Sequence, residues 1–370
     1  MQRGLPNDPV LALRARELLA EIRQLVAAER WKEAAPRSVA LVQVAPGLTE
    51  AHDLMGVVAM RTGAAKIAEG CFERAVSIGP VTATRLHDWA KALMALHEPA
   101  AAARVLHRAL LIRPDDPDLL MELADCQLSQ NQRGEALKSL RRVLRKQPHN
   151  RLANHLVSAL TQPGTPHNDY VAHLFDGYAA YFEDHLTQTL AYRVPEALAA
   201  MLATYAIPGG TVLDLGCGTG LVAKALAARE LVVDGIDIAA NMVASAGQTG
   251  LYRHLVTGDC RDVMVTDAAF AGPYGLVTAA DVFIYVGALE AIFAALPAHV
   301  AAGGLVAFSI ETSDASDIEI RASGRFAHAP AYVSGLAERH GLTMLADEPH
   351  TIRQEQGRPI AGHLYLLRAP

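Results

Sequence analysis

The 370-residue sequence predicts two modules, an all-α array of helical repeats and then an α/β domain built on a mostly parallel sheet. Three observations carry this. Prolines recur at Pro46, Pro80, Pro114 and Pro148, at a constant spacing of 34 residues. From Thr211 onward, short apolar runs alternate with helical patterns, the mark of a parallel sheet covered by helices. Charge divides the same way: residues 1–160 carry 22 Lys and Arg against 17 Asp and Glu, and residues 161–370 carry 11 against 22. Opposite balances suggest separate modules, and a chain of this length exceeds what one core usually organises.

The bulk properties narrow the function classes. No apolar run reaches the roughly 18 residues of a membrane span. The first residues, MQRGLPNDPV, lack the apolar segment and cleavage site of a secretory signal. Cys71, Cys126, Cys217 and Cys260 lie far apart without a CxxC pair. That argues for reduced thiols in a cytoplasmic protein, and against a disulfide framework or structural zinc. The acidic half is poorly suited to nucleic acid, which needs clustered cations. Arg141, Arg142, Arg145 and Lys146 cluster in the basic half and read as a solvated helix face. The expectation is therefore neither a nucleic-acid nor a membrane partner.

Within the repeats, internal positions follow the prolines. Twelve residues before them stand Ala34, Ala68, Ala102 and Ala136. Eight before the last three stand Phe72, Leu106 and Leu140, and five before stand Ala75, Ala109 and Val143. Gly56, Ala90 and Ala124 lie 24 before the same three. Small residues let paired helices approach, large ones fill between repeats, and proline stops the second helix. The first repeat departs from the pattern, with Ser38 and Leu41, as terminal repeats do. Arg151–Leu160 reads as a capping helix. Over about residues 13–160 the chain resembles the tetratricopeptide family. That resemblance implies a surface for a protein partner or peptide, or a homodimer interface, and names no ligand.

Residues 161–168, TQPGTPHN, have linker composition. The segment after them is dense in aromatics: Tyr170, Phe175, Tyr178, Tyr181, Phe182 and Tyr192. It reads either as amphipathic helices packing rings on the sheet or as a lid over a ligand. Strands are expected at Val212–Leu215, Leu231–Ile236, Leu255–Gly258, Leu276–Ala280 and Leu305–Ile310. Helices are expected at Leu221–Arg229, Asn241–Gln248, Ala288–Ala302 (closed by Gly303 and Gly304) and Ala331–His340. Leu342–Ala346 and His363–Leu367 complete the sheet as an antiparallel hairpin.

Ligands of such sheets bind at the carboxyl ends of the strands. Those ends carry Asp214 or Gly216, Asp237, Asp259 and Asp281. Between the first strand and its helix runs TVLDLGCGTG, Thr211 to Gly220, whose alternating glycines let backbone approach a ligand without a Cβ. Asp237 follows Gly216 by 21 residues, where a carboxylate accepts from ribose hydroxyls. The spacing is G-x-G-x-G, not the G-x-G-x-x-G of a pyrophosphate loop, which weighs against a dinucleotide.

This stretch resembles the first motif of the class I S-adenosylmethionine (SAM)-dependent methyltransferases. FDGYAAYFEDHL…LAYRVPEAL, AADVFIYVGALEAI and RFAHAPAYVSGLAERHGL are similar to a bacterial group of predicted methyltransferases with fused tetratricopeptide repeats. The resemblance implies an all-α tetratricopeptide superhelix (1–160), a linker (161–168), and an α/β Rossmann-like class I methyltransferase domain (169–370) with N-terminal lid helices and a seven-stranded, mostly parallel sheet. It implies SAM as cofactor, S-adenosylhomocysteine (SAH) as product, and no metal. By it, Asp214, Gly216, Cys217, Gly218 and Gly220 belong to the loop that holds the methionine part. Tyr178 and Tyr192 line that end, and Arg193 pairs with the methionine carboxylate. Asp237 takes the ribose, Ile238 packs on the adenine, and Asp259 accepts from the adenine amino group beside the Cys260 amide. Asp281 lies close to the transferring methyl.

Tyr285, Arg325, His328 and Tyr332 follow strand ends, where an acceptor should bind. His328 is the expected base, since its ordinary pKa is near neutral, with His185 a weaker rival. No Asn/Asp-Pro-Pro-Tyr run follows the fourth strand, which weighs against a nucleic-acid base or glutamine amide as acceptor. No histidine pair has metal spacing. The expected activity is methyl transfer to an O or N atom of a small-molecule or carrier- or peptide-bound acceptor, with the repeats positioning substrate or dimerising. Two alternatives stand: a SAM-sensing scaffold without turnover, and a protein methyltransferase whose substrate docks on the repeats.

Overall fold

Each of the four periodic prolines sits two residues beyond the end of a helix. In the computed structural model, which describes residues 4–162, 168–178, 182, 190–314, 317–355 and 358–370, the chain divides into compact units 1–153 and 154–370. The first unit runs through α1 (Pro9–Ala27), α2 (Trp31–Val44), α3 (Thr49–Arg61), α4 (Ala65–Ile78), α5 (Ala83–Ala95), α6 (Pro99–Ile112), α7 (Pro117–Ser129) and α8 (Arg133–Lys146). Pro46, Pro80, Pro114 and Pro148 follow α2, α4, α6 and α8. The residues just before them, Ala45, Gly79, Arg113 and Gln147, have left the helical region of ψ, as the proline ring requires of its predecessor.

The periodic small and large residues form the core of this unit. Ala34, Ala68, Ala102 and Ala136 are fully buried, as are Leu106, Leu140, Ala75, Ala109 and Val143. One repeat shows how the positions compensate. A Cβ on Gly56 would lie 2.6 Å from the Phe72 ring. The next two repeats carry Ala90 with Leu106 and Ala124 with Leu140. Glycine therefore accompanies the largest side chain, and alanine the smaller one. Between α3 and α5, Arg85 grips Asp53 in a fork of 2.9 to 3.0 Å bonds.

The helix expected as a cap, α9 (Arg151–Thr161), straddles the division between Ala153 and Asn154. Within the second unit, His155 stacks on Tyr170 at 4.6 Å and its Nε2 meets the Gly324 carbonyl at 2.8 Å. There follow α10 (Asn168–Tyr178), α11 (Val194–Met201), α12 (Leu221–Leu226), α13 (Ala240–Gln248), α14 (Cys260–Thr266), α15 (Phe283–Val286), α16 (Glu290–His299) and α17 (Pro330–Arg339). The strands are β1 (Thr211–Leu215), β2 (Val232–Asp237), β3 (Tyr252–Thr257), β4 (Tyr274–Ala279), β5 (Val300–Glu311), β6 (Ile318–Ile320), β7 (Phe326–His328), β8 (Thr343–Glu355) and β9 (Arg358–Arg368). Among the described residues a seven-stranded sheet runs in the order β3-β2-β1-β4-β5-β9-β8. Strands β1 to β5 pair in parallel, and β9 is antiparallel to both β5 and β8. Apolar layers cover both faces.

The structure departs from the sequence reading in four places. The helix before β5 stops at His299, and Gly303 and Gly304 lie inside the strand, where β4 and β5 slip register. Helix α14 was not foreseen, although Asp259 caps it through the Arg261 amide at 2.9 Å. Nor was the short β6–β7 hairpin. The closing hairpin spans 343–355 and 358–368, far longer than expected. The outer part of β8 reads DEPHTIRQE; pairing with β9, not an apolar run, makes it a strand. Among the described residues no helix is long and apolar enough to cross a membrane.

Gly56→Ala should destabilise the first unit by about 1–2 kcal/mol, because overpacking outweighs the gain in helix propensity. Combined with Phe72→Leu, the loss should be largely cancelled, giving a coupling energy of about 1 kcal/mol or more in a double-mutant cycle by urea unfolding.

Candidate functional site

Strand order reverses between β1 and β4. The chain leaves these neighbours toward opposite sides and opens a crevice at their carboxyl ends. A cleft of about 490 Å³ lies there. Gly216, Cys217 and Gly218 line it, with Asp237, Ile238, Asp259, Cys260, Asp281, Tyr285, Tyr178 and Tyr192. Arg325 lines it too, as do residues the sequence reading did not single out: Thr219, Arg261, Arg353 and Glu355.

The loop after β1 is built on left-handed backbone: φ is +61° at Gly216 and +55° at Gly218. A Cβ on Gly216 would stand 2.5 Å from the Val282 side chain, so glycine is required there for space as well as for φ. On Gly218 the nearest atom to such a Cβ is 3.8 Å away, so that face is open. The loop is pinned by Cys217 N–H to the Ile236 carbonyl (3.0 Å) and Gly218 N–H to Asp237 Oδ2 (2.9 Å). The buried Thr219 Oγ1 has no partner among the described residues.

The strand-end acids differ in how they are satisfied. Asp237 also accepts from the Ala239 amide at 2.9 Å. Burial pushes its pKa up to about 6 against these amide bonds. Burial likewise disfavours ionisation of Asp259, but Arg261 and Asn168 outweigh it, so this carboxyl sits below its ordinary range. Asn168 Nδ2 donates to Asp259 Oδ2 at 2.8 Å, which ties the start of α10 to the end of β3. Asn241 N–H donates to Asp176 Oδ1 at 2.9 Å and binds the other end of α10 to α13. Between these ties Phe175 meets Tyr285 edge-on at 5.0 Å, and Tyr178 meets Phe182 at 5.1 Å. Burial drives the Cys260 thiol up to about 12 and raises Cys217 too, so both serve as apolar lining.

Asp281 sits in a left-handed conformation, φ +59°, that a non-glycine residue rarely adopts. Its N–H donates to Ser309 Oγ (2.8 Å) and its Oδ2 accepts from Arg353 Nη1 (2.8 Å). Asp281 Oδ1 is buried and without a partner among the described residues. Burial raises this carboxyl, Arg353 opposes the rise, and Glu311 adds to it. Arg353, 2% exposed, also binds Glu355 through Nε (3.0 Å) and Glu311 through Nη2. Arg325 bonds Glu355 as well.

Several expected site residues stand elsewhere. His328 is fully buried in β7 and does not line the cleft. Its Nε2 lies 2.6 Å from the Gly287 carbonyl, and burial lowers its pKa to about 4. A neutral ring donating there is a structural tie, which corrects its expected role as base. Tyr332 lies outside the cleft as well, donating to Glu290 (2.8 Å) and accepting from the Leu289 amide (2.8 Å). The Arg193 side chain is 72% exposed, 3.9 Å from Glu196 and away from the cleft. It is adjacent to inward-facing Tyr192, and the two point apart. Asp214 is buried beneath the loop, bonded at 2.8 Å by both Tyr252 Oη and Thr278 Oγ1, so it braces β1 against β3 and β4 instead of lining the cleft. Gly220, φ +90°, lies just outside and starts α12. His185 and Tyr181 fall outside the described residues. Among those described, no group of acids, His and Cys is arranged to hold a metal.

Two stretches of the chain match families of known proteins. Residues 185–350 match a family described as a methyltransferase domain, and residues 93–160 match the tetratricopeptide repeat family. A curated relative, the ubiquinone biosynthesis O-methyltransferase of Chromobacterium violaceum, is 36% identical over 105 residues, covering 28% of this chain and 45% of the relative. The chain thus spans less than half of that protein's length. Similar solved structures include the magnesium protoporphyrin IX methyltransferase of Synechocystis with bound SAH, at 17% identity and TM-score 0.37, covering 48% of this chain and 83% of that one. Another is the tetratricopeptide protein YrrB, at 18% identity and TM-score 0.36, covering 39% and 74%. Residues 185–350 are thus similar to methyltransferase domains, and residues 93–160, ahead of them, to tetratricopeptide repeats.

Because burial raises Asp214 to about 6, its contribution to stability is complete below its unfolded pKa and is lost as pH rises through about 6. Thermal melts should therefore show the stability of wild type relative to Asp214→Asn falling between about pH 4 and pH 7, then levelling.

Proposed function

We propose that the protein transfers a methyl group from SAM to an oxygen or nitrogen of a small-molecule or carrier- or peptide-bound acceptor, the repeat array positioning substrate or dimerising. The observation that carries this reading is the meeting, in one cleft, of a left-handed glycine loop with the acids ending β2, β3 and β4. These residues suit SAM. Open backbone at Gly218 admits the methionine chain, and buried Thr219 Oγ1 lacks a partner that a bound ligand would supply. Asp237 accepts the ribose hydroxyls, and Ile238 and Met242 offer an apolar surface to the adenine. Asp259 faces the adenine amino group, with its carboxylate shared by Arg261 and Asn168.

Bound SAM supplies a methyl carbon activated by the sulfonium. The chain contributes alignment, exclusion of water by the rings of α10 and Phe182, and a place for the acceptor's proton. In such a transfer the unpartnered Asp281 Oδ1 would accept the proton that the acceptor loses. A hydroxyl acceptor suits this arrangement, and the Chromobacterium relative is named as an O-methyltransferase. Tyr285 borders the same space, and its phenol is held protonated by burial, up to about 12.

Calorimetry with SAH tests the cofactor. Binding in the micromolar range is expected, weakened roughly 10- to 100-fold by Asp237→Ala, the effect of losing charge-assisted hydrogen bonds. Since the Asp237 pKa is raised to about 6, affinity should fall as the solution is acidified through that pH, while Asp237→Asn binds weakly at every pH. Unchanged affinity in Asp237→Ala would refute the assignment.

A further inference from the structure

We propose that Arg353, on the far hairpin of the sheet, is the positioning residue for Asp281. It holds one carboxylate oxygen so that the other stays free for the proton-bearing group of the acceptor. This rests on the methyl-transfer reading above.

Position 353 follows 281 by 72 residues, and nothing local links the two. Tertiary pairing brings them together: β8 joins β9, β9 joins β5, and β5 joins β4, whose end carries Asp281. The contact between them is a single bond of 2.8 Å from Arg353 Nη1 to Asp281 Oδ2. It occupies one oxygen and leaves Oδ1 buried with no partner among the described residues. The backbone is held as well, through the Asp281 N–H on Ser309 Oγ, in a left-handed conformation. A carboxylate fixed at both backbone and one oxygen has one direction in which to accept.

Arg353 can do this because the rest of its guanidinium is committed. Nη2 bonds Glu311, 2% exposed on β5, and Nε bonds Glu355 on the rim. The planar fork cannot rotate toward the cleft without breaking two ion pairs. The groups that face Asp281 are Arg353 on β8, Glu311 on β5, Arg325 before β7, Tyr285 on α15 and Tyr192 before α11, with Glu355 behind Arg353. Of these, Arg353 favours the ionised form most strongly, against the opposing effect of burial. Removing the cation therefore moves the titration of Asp281 to higher pH, and removing Glu311 moves it to lower pH.

The test is carboxyl-carbon NMR on the full chain labelled at aspartate, the Asp281 signal being assigned by its loss in Asp281→Asn. Arg353→Gln should raise the Asp281 midpoint by about one pH unit or more, Glu311→Gln should lower it, and Arg353→Lys should restore most of the wild-type value. An unchanged midpoint in Arg353→Gln overturns the proposal. If that variant does not fold, because Glu311 is left buried and unpaired, Glu311→Gln/Arg353→Gln removes one charge of each sign. Its midpoint should still rise, since Arg353 is the nearer charge, and a midpoint at or below wild type overturns the proposal. SAH calorimetry separates acceptor from cofactor. Affinity within about twofold of wild type in Asp281→Asn supports the acceptor role, whereas a loss of tenfold or more assigns Oδ1 to the cofactor and overturns it. Failure of wild type to bind SAH would instead refute the methyl-transfer reading.

Discussion

Carboxylates buried at one edge of one sheet impose the constraint on which the second unit depends. Taking such a group out of water costs several kcal/mol unless bonds and charges compensate it. The structure meets that cost differently at each strand. Asp214 is closed off by Tyr252 and Thr278, and so becomes a brace. Asp237 is half satisfied by the amides of Gly218 and Ala239. Arg261 pairs its charge with Asp259, and the Asn168 amide donates to it. Asp281 receives Arg353 on one oxygen alone. Among the described residues, two of the buried polar atoms left without a partner, Asp281 Oδ1 and Thr219 Oγ1, belong to residues that line the cleft.

The same logic explains the cleft's walls. A carboxylate keeps a raised pKa only while water is kept away, and the rings of Phe175, Tyr178, Phe182 and Tyr285 line the same cleft. Helix α10 carries two of these rings and is tied at both ends to loops of the cleft, through Asn168 to Asp259 and through Asp176 to Asn241. Helix α10 and the acid at the end of β3 thus belong to one hydrogen-bonded system. Of the aromatic residues the sequence singles out there, Phe175, Tyr178 and Phe182 pack edge-on on one another and line the cleft.

Much of the first unit was legible because its signal is local and repeated. A 34-residue period places Ala68, Ala102 and Ala136 on equivalent buried faces whatever else the chain does. The loop from Gly216 to Gly220 was legible for a similar reason, since a left-handed turn between strand and helix needs glycine. The acids at strand ends could be named, but not sorted. Asp214 and Asp237 look alike in the sequence, yet one faces Tyr252 and Thr278 and the other the cleft. His328 carried a chemical argument from its type alone, and burial against Gly287 cancels it. Arg193 carried one from its neighbour Tyr192, and the backbone turns the two side chains apart.

The sequence by itself determined the two modules, the order of most elements, the glycine loop and the acids at the strand ends. Those features depend on period, strand alternation and backbone conformation, all set within a few residues. Only the tertiary structure decided which charged groups meet. Arg353 lies in a polar stretch with no apolar run and no motif, and it gains its meaning from three strand pairings that carry it to Asp281. Ion pairing is short-ranged and indifferent to separation along the chain, so it becomes readable only once the sheet has brought distant residues together.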